Sequence, residues 1–184
     1  MIQSAIIRIL PFVFVLVVLV VLCKRKNKEI QELCFTKPNS TKGYLLWTIG
    51  FLLFALLIEL ILYRCGLLEI DPWNHPLIPS IIRIFGAVVL APITEEFVFR
   101  GLIINKLLKR NVNLHLTIFI QACFFVLVHN FTYENSLSAH IAIVQGFVDA
   151  TLYGYARHYT KSIYTPITMH MSGNFIATLE RFIC

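Results

Sequence analysis

Glu95 and Glu96 stand side by side, with Arg100 four residues on, inside an apolar run from Ile84 to Leu108. Charge at membrane depth costs about 2.5–3.5 kcal/mol per group on insertion scales. Helices keep such groups where they pair, face other helices or touch water. On a helix Glu96 and Arg100 share a face and pair. Glu95 is rotated from Glu96 by roughly 100° and stays free for another task. Downstream, His129 ends one apolar run, and His170 and Asn174 lie in another. His170 and Asn174 are four apart and share a helical face, as do Phe125 and His129. A lone histidine in a span is more often a packing or interhelical hydrogen-bond residue. Two carboxylates, an arginine, two histidines and an asparagine on three helices shift that balance toward a site in a bundle interior.

The chemistry open to this set is hydrolysis. A carboxylate beside an imidazole can take a proton from water when burial and neighbours tune its pKa. A second imidazole and an amide can donate to a developing oxyanion. The same residues include zinc-type donors, Glu oxygen and His nitrogen, but the chain has no HExxH. Taken alone, the residues leave a hydrolase and a proton- or metal-translocating channel comparable.

The elements that must position them are membrane helices. Of 184 residues, 58% are hydrophobic and 14% charged, and the mean hydropathy is +0.75. These values indicate several spans of about 20 apolar residues each. The net charge of +6 does not imply nucleic acid, because membrane loops collect Lys and Arg for topological reasons. Five scattered cysteines without a CxxC imply neither a thiol metal site nor a disulfide framework.

The expected fold is all-α, a polytopic bundle of about six transmembrane helices. The first span is Ile6 to Cys23. It ends in Lys24-Arg25-Lys26 without a small-residue cleavage site, which favours an uncleaved span over a signal peptide. A basic linker follows, Lys24 to Lys42, part of it a short surface helix. The second span is Tyr44 to Tyr63, with Glu59 at headgroup level. Cys65 to Ser80, with Gly66, Pro72, Pro76 and Pro79, reads as a loop. The third span, Ile81 to Leu108, is interrupted by Gly86 and Pro92, and Pro92 predicts a kink just before the glutamates. Leu114 to Val128, Ala139 to Tyr155 and Ile163 to Ile183 complete the set. Small residues at 146, 150 and 154 in the fifth span permit close helix packing. Basic residues concentrate in the first, third and fifth loops, which places those loops in the cytoplasm and both termini outside. Residues 1–80 then form an N-terminal hairpin, and 81–184 the core that carries the site.

Three motifs lie in order on successive apolar segments. Glu95-Glu96-Phe97-Val98-Phe99-Arg100 matches EExxxR, Phe125 to His129 matches FxxxH, and His170 to Asn174 matches HxxxN. In this the chain resembles the CPBP family of intramembrane proteases, which includes CAAX prenyl endopeptidases and bacterial bacteriocin-processing and abortive-infection proteins. The resemblance covers roughly Ile84 to Thr178. It implies that Glu95 with His129 activates the attacking water, that His170 and Asn174 line the oxyanion site, and that Glu96 and Arg100 orient. It favours a metal-free glutamate mechanism; a zinc-dependent one would use Glu95, His129 and His170. The implied partners are membrane lipid and a membrane-associated peptide or protein substrate, with CAAX-type processing or the maturation of bacteriocins and pheromones as roles. The short chain and basic loops resemble a bacterial member, hence a multi-pass plasma-membrane protein. Six spans are fewer than relatives commonly have. The rival function is a non-proteolytic membrane adaptor or bacteriocin-immunity protein that binds a peptide or a sensor kinase.

Overall fold

A computed structural model describes residues 1–24, 36–68 and 70–183. Of the linker Lys24 to Lys42, within which a short surface helix is expected, residues 25–35 lie outside the described residues. Six long helices carry the chain: α1 (Ile2–Lys24), α2 (Thr41–Arg64), α3 (Leu77–Lys109), α4 (Leu114–Leu127), α5 (Leu137–Thr160) and α6 (Tyr164–Ile183). A short 3-10 turn, Asn130–Tyr133, links α4 to α5. No strand occurs among the described residues.

Side-chain caps fix several starts. Ser40, Asn113 and Ser136 each accept a backbone N–H from the first turn of α2, α4 and α5, satisfying donors that have no partner inside the helix. α3 begins at Leu77, within the stretch read as a loop. Pro79 falls in its first turn, where no helical N–H bond is lost.

Among the described residues three helices are long and apolar enough to cross a membrane, by length and composition: Ile2–Leu22, Thr41–Arg64 and Leu77–Lys109. α4 is apolar but shorter, and α5 and α6 carry the polar residues of the interior. Unlike that of a water-soluble protein, the surface is apolar, and the interior encloses polar groups beside its apolar packing. Leu46, Leu53 and Leu57 of α2 and Phe14 and Val17 of α1 face outward, while Glu96, Arg100, Thr117, Gln121 and Thr165 are fully enclosed. Lipid is as apolar as leucine, so the outward face costs nothing there and polar groups gain by turning inward. The chain is an integral membrane protein with a helical-bundle fold.

α4 packs on α5, α5 on α6, α6 on α2, and α1 on α3. Phe51 and Ala55 of α2 meet Tyr153 and Ala156 of α5 and Met169 and Ile176 of α6. Phe99 of α3 packs with Ala122 and Phe125 of α4 and Ala150 of α5. Of the small residues of α5, Gly154 packs closely on α4: a Cβ there would lie 3.0 Å from Ile118 Cγ2 and 3.2 Å from Gln121 Nε2. The ends of the bundle are tied by loop contacts. At one end Asn39 N donates to Thr160 O (3.0 Å) and Ser162 Oγ to Thr36 O (2.7 Å). Near the other, Trp73 N donates to Arg181 O (2.7 Å) and Arg83 Nη2 to Ser4 Oγ (3.1 Å).

Pro92 does not break α3. The helix runs through it, with two π-helical segments, Gly86–Leu90 and Phe97–Ile103, on either side of Ala91–Glu96. The wide turn before Pro92 has a definite consequence. Ala91 N–H reaches back five residues to Gly86 O rather than four to Ala87 O. In that register the next donor to Ala87 O would be residue 92, and proline has none. Ala87 O is thus left over, and Asn174 Nδ2 of α6 donates to it at 2.8 Å.

Gly86 also seats α1. A Cβ there would come within 2.5 Å of Ile9 Cγ2. Alanine is the better helix former by about 0.5–1 kcal/mol, so a net loss would report the clash. Gly86→Ala is expected to destabilise by about 1–3 kcal/mol, and Ile9→Ala in the same chain to recover part of it. Thermal unfolding in detergent measures this; a Gly86→Ala protein as stable as the parent would mean that α1 does not seat here.

Candidate active site

The second π segment begins just after the glutamate pair, and such turns re-aim side chains at functional sites. Glu96 and Arg100 are both fully enclosed and meet at 2.8 Å between Oε1 and Nη1. The same Oε1 accepts a hydrogen bond from His170 Nδ1 at 2.8 Å. Arg100 Nη2 donates to Ala150 O (3.1 Å), and its guanidinium lies over the rings of Phe125 (4.7 Å) and Tyr153 (5.0 Å). Glu96 is therefore the hub that ties α3 to α6, and Arg100 ties the same point to α5.

His129 is held just past the end of α4. Its Nδ1 donates to Phe125 O at 2.6 Å and its backbone N to Val126 O at 3.0 Å. Thr132 Oγ1 and Tyr133 OH take the carbonyls of Val126 and Leu127. The last carbonyls of the helix, otherwise unpartnered, are thus used to fix the imidazole. Phe125 packs against both imidazoles, and Tyr153 stacks on His170 at 5.3 Å.

A carbonyl and a carboxylate can only accept, so both histidines carry their proton on Nδ1. Each turns Nε2 toward Glu95. Glu95 Oε2 lies 3.9 Å from His129 Nε2 and 3.9 Å from His170 Nε2, too far for a direct hydrogen bond. That oxygen is buried and has no hydrogen-bond partner. With neutral histidines, three acceptors face one point, an arrangement that asks for a donor between them.

Zinc would be one occupant by donor type. A tetrahedral zinc with bonds of about 2.0–2.2 Å holds its ligand atoms about 3.3–3.6 Å apart, and the 3.9 Å separations are wider. Among the described residues no group of three His, Cys, Asp or Glu is placed to hold a metal ion. As placed, the site does not fit tetrahedral zinc.

His129, His170 and Asn174 line a common cavity of about 280 Å³, with Asp149, Gln145 and Glu59 on its other walls. Glu95 is not among the residues lining it; it reaches the imidazoles from α3. The structure thus brings Glu95, Glu96, Arg100, His129 and His170 together, and sets Asn174 at the cavity with one amide proton engaged by Ala87 O. Glu59 faces this cavity, where its Oε1 accepts from Gln145 Nε2 at 2.7 Å. Asp149 was given no role by the sequence. Its one signal was the spacing of four from Gln145, which puts both on one face of α5.

No curated protein and no solved structure matches the chain. A family model described as type II CAAX prenyl endopeptidase Rce1-like matches residues 76–176, a stretch that opens just before α3 and closes two residues past Asn174. That match spans more than half of the sequence and contains every residue of the cluster around Glu95. The chain belongs to the Rce1-like family of type II CAAX prenyl endopeptidases.

Proposed function

We propose that the protein hydrolyses a peptide bond in a membrane-associated peptide or protein of the CAAX type, with Glu95 as the base that activates water. The convergence of Glu95 Oε2 on two imidazole Nε2 atoms carries this reading. A water held between them would give its proton to Glu95, with His129 accepting its second hydrogen bond. Its oxygen attacks the carbonyl carbon, and the charge that develops on the carbonyl oxygen meets the remaining amide proton of Asn174 and His170. The C–N bond then breaks, and the leaving amine takes the proton from Glu95. For His170 to donate there, both ring nitrogens must carry a proton; the Glu96 carboxylate on its Nδ1 orients the ring, as a buried carboxylate does in other triads. Arg100 holds the Glu96 carboxylate in place.

An apolar cavity of about 410 Å³ between α2 and α5, lined by Phe54, Ile58, Leu62, Val144 and Val148, adjoins the polar one and shares Ala55, Gln145 and Asp149 with it. It suits an apolar chain on the substrate beside the reacting bond. Comparison of the membrane peptidome of cells carrying the wild type and Glu95→Gln tests the assignment. The expected result is a set of uncleaved peptides that accumulates with the variant; identical peptidomes would remove the peptidase reading.

The spacing at Glu95 supports metal-free hydrolysis. Treatment of the purified protein in liposomes with a strong zinc chelator is expected to leave turnover within about twofold. A loss of about tenfold or more, restored by added zinc, is the size of effect seen when metal sites are disturbed and would overturn the metal-free route.

A further inference from the structure

Away from Glu95, three helices and a loop enclose a cavity of about 890 Å³ that the hydrolytic chemistry does not use. Arg8 of α1, Arg83 of α3 and Arg181 of α6 all line it, with Trp73, His75 and Asp71 of the 65–76 connection. Three guanidiniums face one carboxylate there. Arg181 is positioned by its Nε bond to Asp71 O (2.9 Å) and by the Trp73 ring 5.0 Å away. Arg83 spends one Nη2 bond on Ser4 Oγ, and its buried Nε has no hydrogen-bond partner. Arg8 enters no hydrogen bond or ion pair with the described residues. Partial burial, then Arg83, Arg181 and Arg8 in turn, push the His75 imidazole below its usual value.

The same helices also give the cavity apolar lining, Ile9 and Phe12 of α1 and Ala87 and Ala91 of α3, and α1 turns Val13, Phe14 and Val17 to the outside nearby. Arg8 and Arg83 lie six residues from the starts of their helices and Arg181 two from the end of its own. At a rise of 1.5 Å per residue the three sit within roughly 10 Å of one end of the bundle, where a bilayer passes from hydrocarbon to headgroup. Cationic forks beside an indole, backed by an apolar wall at that depth, match a phosphate with an acyl chain below it.

We propose that this cavity is a binding site for the phosphate headgroup of an anionic phospholipid, held by Arg8, Arg83 and Arg181. A free phosphate shares the charge but makes no use of the wall formed by Ile9 and Phe12. Asn174 lines both this cavity and the one at His129 and His170, so a bound headgroup would border the reaction centre.

Full-length protein in phosphatidylcholine nanodiscs with a minor share of phosphatidylglycerol is released and analysed by native mass spectrometry. The wild type is expected to retain phosphatidylglycerol about tenfold over its share, the effect of one charge-assisted contact of about 1.4 kcal/mol. Arg8→Gln should lose that enrichment and Arg8→Lys should keep most of it. Arg8 has no bond to lose to the described residues, so Arg8→Gln should remain folded, and its melting curve checks this. Glu95→Gln should retain the lipid like the wild type, so failure of the peptidase reading leaves this result standing. No enrichment in the wild type, or equal enrichment in Arg8→Gln, overturns the site. In a second arm, inorganic phosphate is added to pure phosphatidylcholine discs. Stabilisation of the wild type by phosphate without retention of phosphatidylglycerol would make the cavity a free-anion site and also overturn the lipid assignment.

Discussion

Glu95→Gln is expected to lower the peptidase rate by about 10²–10⁴-fold, the usual weight of a positioned general base, while abundance and melting temperature stay near those of the parent. Two features separate the chemistry from the folding here. The Glu95 carboxylate holds nothing together: its Oε2 has no hydrogen-bond partner, and its approaches to His129 and His170 are 3.9 Å long. The variant also keeps side-chain volume and hydrogen-bonding capacity and loses only basicity. His129→Ala should lower the rate as well, since it removes one of the two Nε2 atoms turned to the same point. Its fold should suffer more, because the imidazole also occupies Phe125 O and packs on the Phe125 ring. The measurement is turnover of a membrane peptide by detergent-purified variants, alongside their thermal unfolding. A Glu95→Gln protein with full biological function would place the role in binding, as an adaptor or immunity protein would have it.

The site was legible where its logic is local. Glu96 and Arg100 pair because residues four apart on a helix must meet, and that spacing is visible in the sequence. Positions 129 and 170 stood out because histidine is rare in apolar spans. What remained hidden depends on register and on distant partners. Pro92 announces a disturbance in α3 but not its form. The answer lies in which carbonyl the Ala91 N–H chooses, and a hydropathy pattern carries no trace of that choice. The same choice decides what Asn174 does, since Ala87 O is orphaned only in the wide register. Glu59 stood out only as an acid near the end of an apolar run. Its partner, Gln145, is 86 residues away on another helix, so only tertiary packing could reveal that contact. Glu96 was expected to orient something. That it serves Arg100 and His170 through one oxygen needed the meeting of α3 and α6.

That shared oxygen makes Arg100 the residue whose loss should cost the most stability. Arg100→Ala leaves the Glu96 carboxylate fully enclosed without its cation, opens a void against Phe125 and Tyr153, and frees Ala150 O of one donor. Breaking a buried pair from one side costs about 3–5 kcal/mol, a large part of the stability of a typical domain. The expected result is low abundance, a strongly lowered melting temperature and no measurable turnover. A merely damaged fold and a lost charge can be told apart by changing both partners. Glu96→Gln with Arg100→Met removes the stranded charge and refills most of the volume, and such neutral replacements of buried pairs are often tolerated. This double variant should regain much of the stability. It should remain inactive, because an amide at position 96 holds the His170 Nδ1 proton less firmly than a carboxylate does. Recovery of both stability and turnover would show that Glu96 and Arg100 serve the fold alone. An Arg100→Ala protein as stable as the parent would mean that the Glu96–Arg100 contact does not hold the bundle together, and the account of Glu96 as its hub would fall with it.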